Sequence, residues 1–262
     1  MKVVLFCGGM GMRLRDYSET IPKPLVPIGN RPLIWYLMKY YAYYGHKDFI
    51  LCLGYRAESF KEYFLKYNEC HSNDFILSEG GRKVDLLNTD IHDWRITFAD
   101  TGLNSNVGQR LKAVEKHLQG EKVFLANYTD VLTDLPLPRM LDCFRQRDAT
   151  AQVMVVKPHI TSHFTTVNDR GHVTRIADIN QMDLLINGGF LIFKQDIFKY
   201  LKPGEELVCE PFQRLIKQKQ LCAYPYDGFW TCLDTYKDKQ QLDALYDQGR
   251  APWEVWRSDE SL

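Results

Sequence analysis

Apolar and polar residues alternate in blocks along the first half of the chain. Lys2–Cys7 is a continuous apolar run that halts at Gly8-Gly9, as a strand buried on both faces does when it enters a loop. Ile34, Leu37, Met38 and Tyr41 recur at helical spacing and Gly45 supplies a stop, so Leu33–Tyr44 reads as a helix. Asp48–Leu53 reads as a second strand, Glu58–Tyr67 as a helix, Arg95–Ala99 as a strand, Gln109–Leu118 as a helix and Lys122–Asn127 as another buried strand. This alternation predicts an α/β fold built on a doubly wound sheet. In such sheets a ligand lies at the carboxyl ends of the strands, where both the Gly8–Arg13 loop and Asp130 fall.

From about Ala149 the apolar runs shorten to Ala151–Val156, Val173–Ile176, Ile186–Phe193 and Leu221–Tyr226, and turn signals such as Asn168-Asp169-Arg170-Gly171 separate them. The pattern predicts a mixed, β-rich half closing over a substrate. A final helix, Tyr236–Gln248, carries Leu242, Leu245 and Tyr246 on one side and is stopped by Gly249. No internal repeat or low-complexity linker divides the chain, so residues 1–262 read as one domain, with a first half to about 148 and a second from about 149.

Composition narrows the class of partner. Thirty-three basic and thirty-three acidic residues cancel, so no overall field favours nucleic acid or an anionic membrane, and any phosphate recognition must be local. The apolar run at the N-terminus is too short for a secretory signal, and no run reaches the roughly 20 residues of a membrane span, which predicts a cytoplasmic protein. The seven cysteines form no CxxC pair and are read as reduced thiols without a zinc site. The histidines show no ligand spacing, and His46, His71 and His117 are read as solvated. Tyr36, Tyr40, Tyr41, Tyr43 and Tyr44 crowd one helix and are read as core and subunit packing rather than a base-stacking platform.

Two short segments carry candidate chemistry. In Gly8-Gly9-Met10-Gly11-Met12-Arg13-Leu14, three glycines in four residues let backbone N–H groups approach a phosphate chain, and Arg13 adds a forked cation. Leu14 stands where a dinucleotide-binding loop needs glycine, and the Gly-Lys-Ser/Thr ending of a Walker loop is missing. Nine residues on, Lys23 is enclosed by Pro22 and Pro24, which fix the backbone and aim its ammonium.

These segments together, GGxGxRL followed by PKPLVPIGNRP, resemble the signature of the sugar-1-phosphate nucleotidyltransferases. Further similarity points to the glucose-1-phosphate cytidylyltransferase branch: Asp100-Thr101-Gly102 leading to Gly108–Lys112, Ile186-Asn187-Gly188-Gly189-Phe190, Glu210-Pro211-Phe212, Gly228-Phe229-Trp230 through Asp234-Thr235, and Ala251-Pro252-Trp253-Glu254. The likeness is collinear over almost the whole chain. It implies a Rossmann-like mixed sheet flanked by helices, a smaller β-rich sugar-binding and C-terminal part, a nucleoside triphosphate (CTP on branch similarity) and a sugar 1-phosphate as substrates, Mg²⁺ as cofactor, and a homo-oligomer. Carried over residue by residue, it implies nucleotide binding by Gly8, Gly9, Gly11, Arg13, Lys23 and Arg110, catalytic roles for Arg13, Lys23 and Asp130, metal binding by Asp130 and Asp234, and sugar-phosphate contact by Asn187 and Gly188.

The chemistry requires such residues, because a sugar-phosphate oxygen must attack the α-phosphorus of a highly anionic triphosphate. Cations and positioning carry that reaction without a nucleophilic side chain. Read alone, Asp130 could merely turn the chain after its strand, and Asp234 could be the N-cap of helix 236–248. Three departures from the family pattern bear on the acceptor. Thr129-Asp130-Val131 replaces Gly-Asp-Gly, Asp178-Ile179-Asn180 stands where Glu-Lys-Pro is expected, and His163-Phe164-Thr165 replaces Arg-Phe-Gly. A GT-A-type glycosyltransferase would carry an Asp-x-Asp that is absent around Asp130, and loss of the lysine motivates a non-catalytic nucleotide-binding alternative.

Overall fold

The computed structural model describes residues 1–9, 21–158, 163–179 and 182–258. Its central sheet has seven strands: β1 (Lys2–Phe6), β2 (Asp48–Leu53), β3 (Arg95–Asp100), β4 (Val123–Tyr128), β5 (Ala151–Val156), β6 (Ile186–Lys194) and β7 (Leu221–Tyr226). They lie in the order β7-β5-β6-β4-β1-β2-β3. β1 pairs in parallel with both β2 and β4, while β6 runs antiparallel between β4 and β5. The chain moves outward from β1 through β2 to β3 and then returns to β4 on the other side of β1. The crevice of a doubly wound sheet opens at this reversal, beyond the carboxyl ends of β1 and β4.

The strand sequences explain why the sheet is covered on both faces. In β1 and the residue after it, Val3, Leu5 and Cys7 enter one apolar cluster, and Val4 and Phe6 enter the other. The first cluster is closed by helices α1 (Leu33–Tyr43), α2 (Ala57–Leu65) and α4 (Leu137–Arg145), and the second by α3 (Val107–Ala113) and α5 (Glu210–Lys217). Helix α6 (Tyr236–Asp247) seals a third cluster around Tyr36, Leu233 and Trp253. On α1, Tyr36, Tyr40 and Tyr41 are buried, with Tyr40 edge-on to both Tyr41 and Phe190, so three of the five tyrosines expected to pack are in the core, while Tyr44 is partly buried and Tyr43 is exposed.

The expected elements recur within two residues at their ends, except that 109–118 divides into α3 and a 3₁₀ turn, Glu115–Leu118. Helix α4 has no counterpart in the sequence reading. Its prolines at 136 and 138 resemble loop punctuation, yet both precede or occupy the first turn, where a missing N–H costs nothing, and Leu137, Met140, Leu141 and Phe144 make a buried stripe. In the second half β5, β6 and β7 extend the sheet begun by β1. Among the described residues two short pieces stand apart from it: the hairpin of His163–Val167 with Val173–Asp178, joined through the turn signalled by Asn168–Gly171, and Trp230–Cys232, which pairs with Val131–Thr133. His46 is half-buried rather than solvated. Burial and the neighbouring N-terminal ammonium lower its pKa to about 4.

Candidate active site

Three of the residues singled out in the sequence meet at the mouth of β1 and β4. Lys23 Nζ lies 2.8 Å from Asp130 Oδ2 and 2.6 Å from Asp234 Oδ1. With Gly8, Gly9, Arg110, Tyr128, Thr129 and Glu206 they line a crevice of about 540 Å³. Gly11 and Arg13 lie outside the described residues.

Local structure explains each position. Lys23 opens a 3₁₀ turn, Lys23–Leu25, entered from Pro22 and closed by a hydrogen bond from Val26 N–H to the Lys23 carbonyl. The turn then feeds the Pro27–Ile28 and Arg31–Pro32 ladder, whose connecting Gly29 has φ +57°, a conformation that favours glycine. Asp130 ends the turn after β4. Asp234 arrives from far along the chain because Trp230–Cys232 pairs antiparallel with Val131–Thr133, Cys232 opposite Val131, and Leu233 N–H donates to the Asp130 carbonyl at 2.8 Å. Asp234 is not the cap of α6: Thr235 is, in a capping box with Asp238, whose Oδ2 also accepts from Asp234 N–H at 3.0 Å.

Electrostatics fit this arrangement. Burial alone would weaken the charged form of Lys23, but Asp130 and Asp234 outweigh it and hold its pKa above the ordinary lysine value. The Cys232 thiol donates to the other oxygen of Asp234, Oδ2, at 3.3 Å, and burial followed by the Asp234 charge pushes its pKa to about 12, so it remains a thiol. Thr129, where the family pattern has glycine, is buried and donates from Oγ1 to the Phe6 carbonyl at 2.9 Å, tying the end of β1 to the turn that carries Asp130.

Arg110 reaches the crevice wall, where its guanidinium is taken up by the chain itself. Nη1 donates to the Leu53 and Gly102 carbonyls and to Thr101 Oγ1 at 3.1, 2.9 and 2.7 Å, and Nη2 to the Gly8 and Leu103 carbonyls at 2.9 and 3.3 Å. It therefore binds the loops after β1, β2 and β3 into one unit. A Cβ on Gly8 would come within 2.1 Å of this guanidinium, so the glycine is needed there for space. Asn187 and Gly188 stand further along, at the start of β6. Asn187 accepts from Gly189 N–H at 2.9 Å and hydrogen-bonds Tyr128, whose hydroxyl is held up to about 12, mainly by burial.

Sequence reasoning missed Tyr128, Glu206 and Cys232, and flagged Thr129 only as a departure from the family pattern. Glu206 accepts from Val107 N–H at 3.4 Å and from Leu207 N–H at 2.8 Å, which stations its carboxylate beside the first turn of α3. The packing here leaves no room at Gly108, where a Cβ would sit 2.4 Å from the Glu205 carbonyl oxygen. Gly108→Ala is expected to displace the 205–207 segment and to destabilise the protein by about 1–3 kcal/mol. Thermal unfolding of that variant checks it.

Sheet order, crevice and cation–dicarboxylate cluster together define an α/β enzyme that handles a phosphorylated nucleotide. The chain matches the family described as Nucleotidyl transferase over residues 2–244, and it belongs to that family. It is 36% identical over 258 residues to a Bacillus subtilis protein named "Probable glucose-1-phosphate cytidylyltransferase", covering 98% of this chain and all of that one. It is 32% identical over 259 residues to the glucose-1-phosphate cytidylyltransferase of Salmonella typhimurium, again with 98% and 100% covered. Among solved structures it is similar to a UDP-glucose pyrophosphorylase complexed with UDP-glucose, at TM-score 0.70 and 20% identity over 95% of this chain and 99% of the other, a likeness of fold.

Proposed function

We propose that this chain joins a nucleoside triphosphate, CTP foremost, to a sugar 1-phosphate such as glucose 1-phosphate, and releases pyrophosphate. The observation that carries this reading is the meeting of Lys23, Asp130 and Asp234 beside the Gly8-Gly9 backbone at the switch point of the sheet. CTP and glucose 1-phosphate are supported by the names of the two relatives.

Asp130 and Asp234 fit a magnesium ion. Both present hard carboxylate oxygens to one point, and each already lies within 2.8 Å of a cation, the Lys23 ammonium. Magnesium held there supplies positive charge against the triphosphate. In the same reaction Lys23, with Arg13, neutralises phosphate oxygens, and the backbone of Gly8, Gly9 and Gly11 admits the phosphate chain closely. Asn187 and Gly188 orient the sugar phosphate from the β6 side, with Tyr128 between them and the cluster. The buried Cys7 and partly buried Cys232 thiols are both held protonated, chiefly by desolvation, which favours direct attack by the sugar-phosphate oxygen over a covalent enzyme intermediate.

A panel of CTP, UTP, GTP, ATP and dTTP against several sugar 1-phosphates, followed by pyrophosphate release with Mg²⁺, tests the reading. CTP with glucose 1-phosphate is expected to react fastest, and release in no combination overturns it. The panel also identifies the acceptor, which the missing Glu-Lys-Pro lysine leaves open.

We also propose a cytoplasmic homo-oligomer. Among the described residues no helix is long and apolar enough to cross a membrane. The hairpin of Phe75–Ser78 with Lys83–Leu86 exposes the cross-strand partners Leu77 and Val84 on one face, each more than half accessible, as a face suited to a second copy. Light scattering should give a mass above the 30.6 kDa of one chain, and Leu77→Ser with Val84→Ser should lower it.

A further inference from the structure

Resting on the proposed metal-dependent transfer, we infer that Lys23 acts as the resident counter-cation of the dicarboxylate pair, so that the free chain resists a bare divalent ion and accepts it only together with the nucleotide. One nitrogen engages a carboxylate oxygen of each aspartate, at 2.8 and 2.6 Å. The point where the two carboxylates converge is thus held by the chain's own charge. The ammonium is the better covered partner: the Lys23 side chain is 11% accessible, against 35% for Asp130 and 28% for Asp234.

Charge decides the consequence. A divalent ion entering the pair without displacing the ammonium would face a like charge only a few ångströms away. Displacement without a new partner would leave a largely buried ammonium short of counter-charge. A triphosphate removes both penalties, because its oxygens can receive the Lys23 ammonium and also bring the metal to the carboxylates. The backbone of Lys23 is pinned in the 3₁₀ turn between Pro22 and Pro24, so the motion is confined to the four-carbon side chain. Metal and nucleotide then bind with positive coupling, and by linkage each strengthens the other equally.

The test is Mn²⁺ titration of the nucleotide-free full chain, read by the electron paramagnetic resonance signal of unbound Mn²⁺. Wild type should bind weakly. Lys23→Met, which keeps the apolar stem and removes the charge, should bind about tenfold or more tightly, as expected when a like charge is removed beside an incoming cation. Lys23→Arg, which keeps the charge, should stay as weak as wild type, and adding Asp234→Asn to Lys23→Met should abolish the gain. Loss of the gain on adding Asp234→Asn ties it to this carboxylate pair and separates it from metal binding by a loosened chain. Lys23→Met binding Mn²⁺ no more tightly than wild type would overturn the inference. If that happens while wild type still releases pyrophosphate with Mn²⁺ and a nucleotide, the inference alone fails; if pyrophosphate release is absent across the substrate panel, the transfer reading fails with it.

Discussion

Asp130→Asn and Asp234→Asn are each expected to lower kcat by about 10²–10⁴-fold, the scale of losing several kcal/mol of charge stabilisation in the transition state. Thermal stability should change far less. Each carboxylate is partly accessible, and Lys23 keeps the other aspartate when one is neutralised, so the loss is that of one partly buried ion pair, about 1–2 kcal/mol. Steady-state kinetics across a Mg²⁺ series, with circular-dichroism melts of the same preparations, separate the two effects. Near-normal turnover at low Mg²⁺ in either variant would remove that residue from the metal site. The two positions are not equivalent in their supports. Asp130 stands on a turn fixed by the buried Thr129 hydroxyl, whereas Asp234 is held at its backbone by Asp238 and at Oδ2 by the Cys232 thiol.

Arg110→Met should show the opposite profile, with a large loss of stability and a loss of activity that follows it. The substitution keeps much of the apolar stem but strips donors from the carbonyls of Gly8, Leu53, Gly102 and Leu103 and from Thr101 Oγ1. Each carbonyl left dry costs about 1–3 kcal/mol, so even with water reaching some of them a total of about 3 kcal/mol is expected, or roughly 6–12 °C in Tm for a chain of this size. Because the loop after β1 is one of those released, the KM for nucleotide should rise as well. A variant with unchanged Tm and a raised KM would mean that Arg110 acts on the ligand directly and does not organise the loops. Lys is a poor substitute here, since one ammonium cannot span acceptors from three loops in the way a planar fork does.

Much of this architecture is written locally. The continuous apolar run of β1 ending at Gly8-Gly9, the stripe of α1 ending at Gly45, and the proline-bracketed lysine are each short-range patterns whose physical meaning does not depend on what lies elsewhere in the chain. They determined the α/β class, the places of most elements and the side chains able to meet a phosphate. Helix α4 was obscured because its prolines act differently at a first turn than in a loop, and its stripe of Leu137, Met140, Leu141 and Phe144 was the signal that could have revealed it.

Tertiary structure alone decided which of those side chains share a site and what each does there. Asp234 joins Asp130 only through the pairing of two three-residue strands, too short to leave a pattern, and Arg110 becomes a tie for three loops only because β1, β2 and β3 bring those loops side by side. Sheet order is likewise non-local: nothing in the texture of β5, β6 and β7 announces that they continue the sheet begun by β1. The physical reason is common to all of these. Hydrophobic period and turn chemistry act over a few residues, while the pairing of strands and the sharing of a cation depend on contacts between segments far apart in the chain, which exist only once the core has closed.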